Sequence, residues 1–125
     1  MGIGTLNHVN LRTTRVDQMI DWYQRALELK VGPRPDFPFP GAWLYAGDTA
    51  HVHLVGVEAE AVGSEASLKL EHFAFSATGR AAFEDRFQRL DIPFRRMDLT
   101  AVGIIQLNVW DPDGNHIHID FAADE

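Results

Sequence analysis

Apolar and polar positions alternate two by two in several short stretches of this chain, and recur at helical spacing in two longer ones. A strand sends successive side chains to opposite faces, whereas a helix gathers residues three and four apart onto one face. Residues 4–12 alternate, with Leu6, His8, Asn10 and Arg12 on one side and Asn7, Val9 and Leu11 on the other, and read as a first strand. Val16, Met19, Ile20, Tyr23 and Leu27 then predict a helix over 16–28, opened by Thr14-Arg15-Val16-Asp17, a sequence that looks like a capping box. Four prolines in residues 30–41 restrict that segment to a short edge strand running into a semi-rigid loop, where Phe37 and Phe39 either pack over the sheet end or lid a pocket. Residues 42–46 and 50–57, separated by Gly47-Asp48-Thr49, predict a hairpin whose second strand carries His51 and His53 on one face. Residues 58–67 are small and acidic and read as a surface linker.

The pattern then starts again. Residues 68–76 alternate, with His72, Ala74 and Ser76 opposed to Glu71, Phe73 and Phe75. A helix follows from Gly79 to about Leu90, with Ala82 or Phe83, Phe87 and Leu90 as its buried stripe, and Ile92-Pro93 ends it. Two more strands are predicted over 94–99 and 103–110. Asp111-Pro112-Asp113-Gly114-Asn115 is turn chemistry, and beyond it His116, His118 and Asp120 share one strand face while Ile117, Ile119 and Phe121 share the other.

Both halves thus read strand, helix, three strands, and they align at an offset of 64 residues. Leu6 falls on Leu70, His8 on His72, Thr14 on Thr78, Asp21 on Asp85, Gln24 on Gln88 and Arg25 on Arg89. One residue of loop slack later, His51-Val52-His53-Leu54 falls on His116-Ile117-His118-Ile119. The expected fold class is α+β: two tandem βαβββ modules, about residues 1–58 and 68–125 of a single domain, forming a curled mixed sheet around a shared cleft. All six histidines would lie on strands near that cleft.

Composition narrows the function. A net charge of −7 with pI near 5.2, and scattered basic residues, argue against a nucleic-acid partner. There is no cysteine, which removes disulfides, thiolate ligands and a cysteine nucleophile. Neither a membrane-spanning run nor a signal peptide is read, so a cytoplasmic location is the expectation.

Neutral imidazole is a general ligand for divalent ions, and strands from several elements can assemble such a set with one coordination position open. His8, His53, His72 and His118 are the candidate metal ligands; His51 and His116, one pleat further along, are expected at the rim or beside the ligands. Asp120 is placed to orient a ligand histidine through a hydrogen bond. Arg12, Arg34, Trp43, Tyr45, Gln106 and Asn108 are candidates for the substrate wall, each having a structural alternative as core, edge or solvated face.

The βαβββ repeat, Leu-Asn-His-Val at residues 6–9, Leu-Glu-His-Phe-Ala-Phe at 70–75 and Asp-Pro-Asp-Gly-Asn at 111–115 together resemble the vicinal oxygen chelate superfamily. It includes glyoxalase I, extradiol ring-cleavage dioxygenases, fosfomycin-modifying enzymes and metal-free bleomycin-binding proteins. In relatives the metal ligands come from the first and last strands of each unit, which implies His8, His53, His72 and His118. Most relatives carry Glu at the position of His118, and glyoxalase I-like members also at that of His53; in the isomerases such a carboxylate moves the substrate proton. The resemblance implies a small enzyme using one divalent ion (Zn, Ni, Mn or Fe) on an oxygenated small molecule by lyase, isomerase or ring-cleavage dioxygenase chemistry, and a homodimer. The alternative is a metal-free protein that sequesters a small molecule or antibiotic, as bleomycin-resistance proteins do. A cupin-like site, suggested by His51, His53 and Glu58, fits the two helices and the repeat less well.

Overall fold

The computed structural model describes residues 2–125, which divide after Val62 into two compact units, the second being Gly63–Glu125. Each is one βαβββ module. The first runs β1 (Val9–Thr13), α1 (Val16–Leu27), β2 (Lys30–Gly32), β3 (Gly41–Ala46) and β4 (Thr49–Gly56). The second runs β5 (His72–Ser76), α2 (Arg80–Arg89), β6 (Arg95–Leu99), a single 3-10 turn at Thr100–Val102, β7 (Ile104–Trp110) and β8 (His116–Ala122). The sheet orders, β1-β4-β3-β2 and β5-β8-β7-β6, repeat the same topology. In each, the first strand lies parallel to the last while the rest pair antiparallel.

Helical spacing places Met19, Tyr23, Ala26 and Leu27 on the buried face of α1. They meet a sheet face whose buried members, Ala42, Leu44, Val52 and Leu54, stand opposite one another on β3 and β4. Each large side chain buried in this way stabilises the module by about 1.5–3 kcal/mol. In the second module Phe87 is fully buried and packs at 5.6 Å from Phe94, while Phe83 of α2 meets Phe121 of β8 edge-on at 5.3 Å.

Three expectations change in detail. No capping box forms at α1: the N-cap is Arg15, whose backbone N–H donates to Thr13 Oγ1, while the Thr14 hydroxyl donates to Glu60. A first strand from residue 4 is not formed; pairing begins at Val9, and just before it the Asn7 carbonyl accepts from His51 Nδ1 at 2.7 Å, a side-chain donor. Likewise β5 begins at His72 and not at residue 68, because its parallel partner β8 begins at His116, directly opposite.

The modules also differ. Between Leu44 and Tyr45 the register slips: Leu44 pairs with Val52 and Tyr45 with Ala50, which makes His51 the extra residue of a β-bulge. No slip interrupts the second module, where His116 pairs with Trp110 and His118 with Asn108.

Candidate functional site

The second module assembles its histidines from the turn upward. Asp111 is buried, and its Oδ1 accepts from the backbone N–H groups of Asp113 and Asn115 at 2.9 Å, while Oδ2 accepts from the Asn115 amide at 2.9 Å. Gly114 takes φ +82°, a conformation that costs glycine little, and its N–H returns to the Asp111 carbonyl at 2.9 Å. The turn thereby fixes where β8 starts and sends His116, His118 and Asp120 to one sheet face.

On that face each imidazole has a carboxylate neighbour. His118 Nδ1 is 2.7 Å from Asp120 Oδ1, and His72 Nδ1 is 2.6 Å from Glu71 Oε1. A carboxylate can only accept, so both rings carry hydrogen on Nδ1 and, when neutral, present a lone pair at Nε2. Their centroids lie 4.4 Å apart. That arrangement of carboxylate, imidazole and open nitrogen is how metal-binding histidines are oriented. The hydrogen bond from His72 holds the exposed Glu71 carboxyl below the ordinary carboxylate range, with smaller help from His116.

His116 is buried, at 7% exposure, and does not line a rim. The Asn108 amide donates to the Arg95 carbonyl at 3.2 Å, which leaves its Oδ1 to accept from His116 Nε2 at 2.8 Å. Trp110 stacks on the ring at 4.9 Å and donates from Nε1 to Glu65 Oε1 at 2.6 Å. Asn108 thus spends both ends of its amide inside the module, whereas Gln106, half-buried on the same face, pairs across to Asp120.

In the first module His8 and His53 also meet. Their rings stack at 3.9 Å and 7°, and Trp43 covers the other contact of His53 at 4.1 Å. His53 Nε2 donates to the Ala50 carbonyl at 3.1 Å, and exposed His8 bonds through Nδ1 to Asn7 Oδ1 at 2.8 Å. Parallel rings aim their in-plane lone pairs side by side, so joint ligation requires one ring to turn. Burial first, and the adjacent His8 second, hold the His53 imidazole below the ordinary histidine range, against the opposing effect of the Ala50 bond. Arg12 is exposed on β1, and the Tyr45 hydroxyl donates to the Pro33 carbonyl. Arg34 lies over both Phe37 and Phe39, which stack on each other at 4.9 Å, and donates to the Phe39 carbonyl. A separate cleft of about 840 Å³ at the start of α1 has no histidine in its lining.

Sequence reasoning missed two participants, Glu65 and Trp110. Glu65 sits in the stretch read as a solvated linker, and its partners lie 45 residues or more ahead.

A family model for the Glyoxalase/Bleomycin resistance protein/Dioxygenase superfamily matches residues 5–119. The chain belongs to this superfamily. A curated relative, Glyoxylase I 4 of Arabidopsis thaliana, is 29% identical over 121 residues, covering 92% of this chain and 69% of that protein. Among solved structures, a glyoxylase/bleomycin resistance protein/dioxygenase domain from Frankia sp. EAN1pec superposes with a TM-score of 0.80 at 18% identity, covering 97% of this chain and 99% of that one. The lactoylglutathione lyase of Agrobacterium tumefaciens gives 0.73 at 19% identity, with 97% and 96% covered. These structural likenesses establish the vicinal oxygen chelate fold; among the described residues no helix is long and apolar enough to cross a membrane.

Proposed function

We propose that this superfamily member is a divalent-metal-dependent enzyme acting on a small oxygenated substrate, with His72 and His118 as the ligand pair of the second module and His8 and His53 as the corresponding pair of the first. The observation that carries the reading is the second module's pair of rings, each with Nδ1 committed to a carboxylate and Nε2 left as the donor atom. The set fits Zn, Ni, Mn or Fe, which accept imidazole readily. Bound there, such an ion supplies a Lewis acid that polarises a pair of neighbouring substrate oxygens.

The chain's own residues supply orientation and restraint. Asp120 and Glu71 fix the tautomers of His118 and His72, and loss of such a partner typically weakens metal affinity about 10–100-fold. Arg12, Trp43, Tyr45 and Gln106 are proposed to contact substrate, Trp43 as an apolar wall, while Asn108, whose amide is spent on Arg95 and His116, acts by steadying the His116 ring. With imidazoles at positions 53 and 118, neither offers the carboxylate that moves the substrate proton in glyoxalase I-like relatives. Lyase or ring-cleavage chemistry, which needs polarisation more than a strong base at those positions, fits the set better.

A second reading, sequestration of a flat small molecule without metal, is favoured by the Trp43–His53–His8 stack, an aromatic pile already built. Elemental analysis after loading with each ion separates the two. The enzyme reading expects uptake of the ion, with affinity falling about tenfold or more in His118→Ala. Protein that takes up no ion, yet binds an aromatic ligand with quenching of tryptophan fluorescence, overturns it.

A further inference from the structure

Next to His72, on the side away from its Nε2, three groups bring ligand atoms together: Glu71, His72 and His116 each place one within 4.8 Å of the others. A cluster of exposed carboxylates would not by itself mark a site. The deciding atom is His116 Nδ1, which is buried and has no hydrogen-bond partner. Because Asn108 Oδ1 accepts from Nε2, the hydrogen of a neutral His116 ring is on Nε2 and the lone pair is on Nδ1. Glu65 Oε2 lies 2.9 Å from that lone pair and Glu71 Oε1 lies 3.4 Å from it. Those distances are within ion-pair range, but neither contact makes a hydrogen bond to Nδ1. One lone pair flanked by two anions is a repulsive arrangement, and a cation seated among them removes the repulsion.

We propose a second divalent-cation seat on the second module, formed by His116 Nδ1, Glu71 and Glu65, for a borderline transition ion of the Zn, Ni or Co type. One imidazole with two carboxylates is the donor set such ions take in preference to Mg or Ca, which favour all-oxygen shells. The seat is built and not accidental in its parts: Trp110 stacks on the His116 ring and its indole N–H holds Glu65 Oε1, which leaves Oε2 turned to Nδ1. Glu71 links the seat to His72 by the 2.6 Å bond to its Nδ1, so an ion here also restrains a proposed ligand of the first set. The seat takes none of the four proposed ligands His8, His53, His72 and His118, and shares with that set only Glu71, the partner of His72.

Co(II) titration of the full chain, followed by paramagnetic broadening of backbone amide signals, tests the seat in the His72→Ala/His118→Ala background, which removes both second-module ligands of the first set and none of the seat's own. Broadening centred on Glu65, Glu71, His116 and Trp110 is expected to survive there, and to require about tenfold more Co(II) when Glu71→Gln and Glu65→Gln are added. Glu71 is exposed and Glu65 half-buried, and each Glu→Gln change keeps the side chain's size, so the fold is expected to persist, which far-UV circular dichroism checks. No broadening at these residues, or broadening indifferent to Glu71→Gln and Glu65→Gln, overturns the proposal. Weaker metal uptake in His118→Ala with the seat retained supports both claims; loss of the seat alone overturns only this one.

Discussion

Replacing Asp111 with alanine removes the acceptor around which the β7–β8 turn closes. Two backbone N–H groups, those of Asp113 and Asn115, and the Asn115 amide lose their carboxylate partner. A buried donor left unsatisfied costs about 1–3 kcal/mol, and bonds to a charged acceptor sit at the upper end. Asp113 and Asn115 are only half-buried, so water recovers part of this, and the expected loss is about 2–4 kcal/mol. Urea unfolding followed by circular dichroism gives the difference directly, provided the slope is unchanged. Asp48→Ala, at the exposed turn between β3 and β4, is the control and is expected to stay within about 0.5 kcal/mol. Hydrogen exchange should locate the damage in the amides of β8, the strand that carries His116 and His118. An Asp111→Ala protein no less stable than Asp48→Ala would refute the assignment of the turn to this carboxylate.

Two further outcomes follow from burial and charge. Phe87→Ala, which empties a fully buried position facing Phe83 and Phe94, is expected to cost about 3–5 kcal/mol, against little change for Ala82→Ser on the exposed side of the same helix, both read by thermal or urea unfolding. In metal-free protein, histidine side-chain NMR should show His53 remaining neutral at a pH where a free histidine is half protonated. The unfolded chain binds that proton first, so stability from this group is present above the ordinary histidine pKa and is lost as pH falls toward the depressed folded value; His53→Phe should flatten that dependence.

What the sequence revealed, and what it hid, follows from the range of the interactions involved. Alternation in His116 to Phe121 and helical spacing from Val16 to Leu27 are local, so strand, helix and face could be read residue by residue. The repeat extended this reading to topology, because a histidine pair recurring at nearly fixed offset forces both halves to be folded alike. Asp120 was legible as the partner of His118 for the same reason: two residues along one strand share a face. The β-bulge that turns His51 to the Asn7 carbonyl left no local mark, so it broke the expected likeness between the two His-x-His pairs. Glu60 and Glu65 were hidden as well. Each takes a partner about 45 residues away in sequence, and an acidic side chain in a small-residue stretch has the same pattern whether it is solvated or recruited.

X-ray absorption of the chain loaded with a single equivalent of Zn or Ni addresses the metal assignment most directly, since imidazole rings give a multiple-scattering signature that carboxylates lack. The account predicts scattering from more than one imidazole, reduced in His72→Ala and in His118→Ala. A spectrum of oxygen ligands only, or one unchanged by both substitutions, would contradict it.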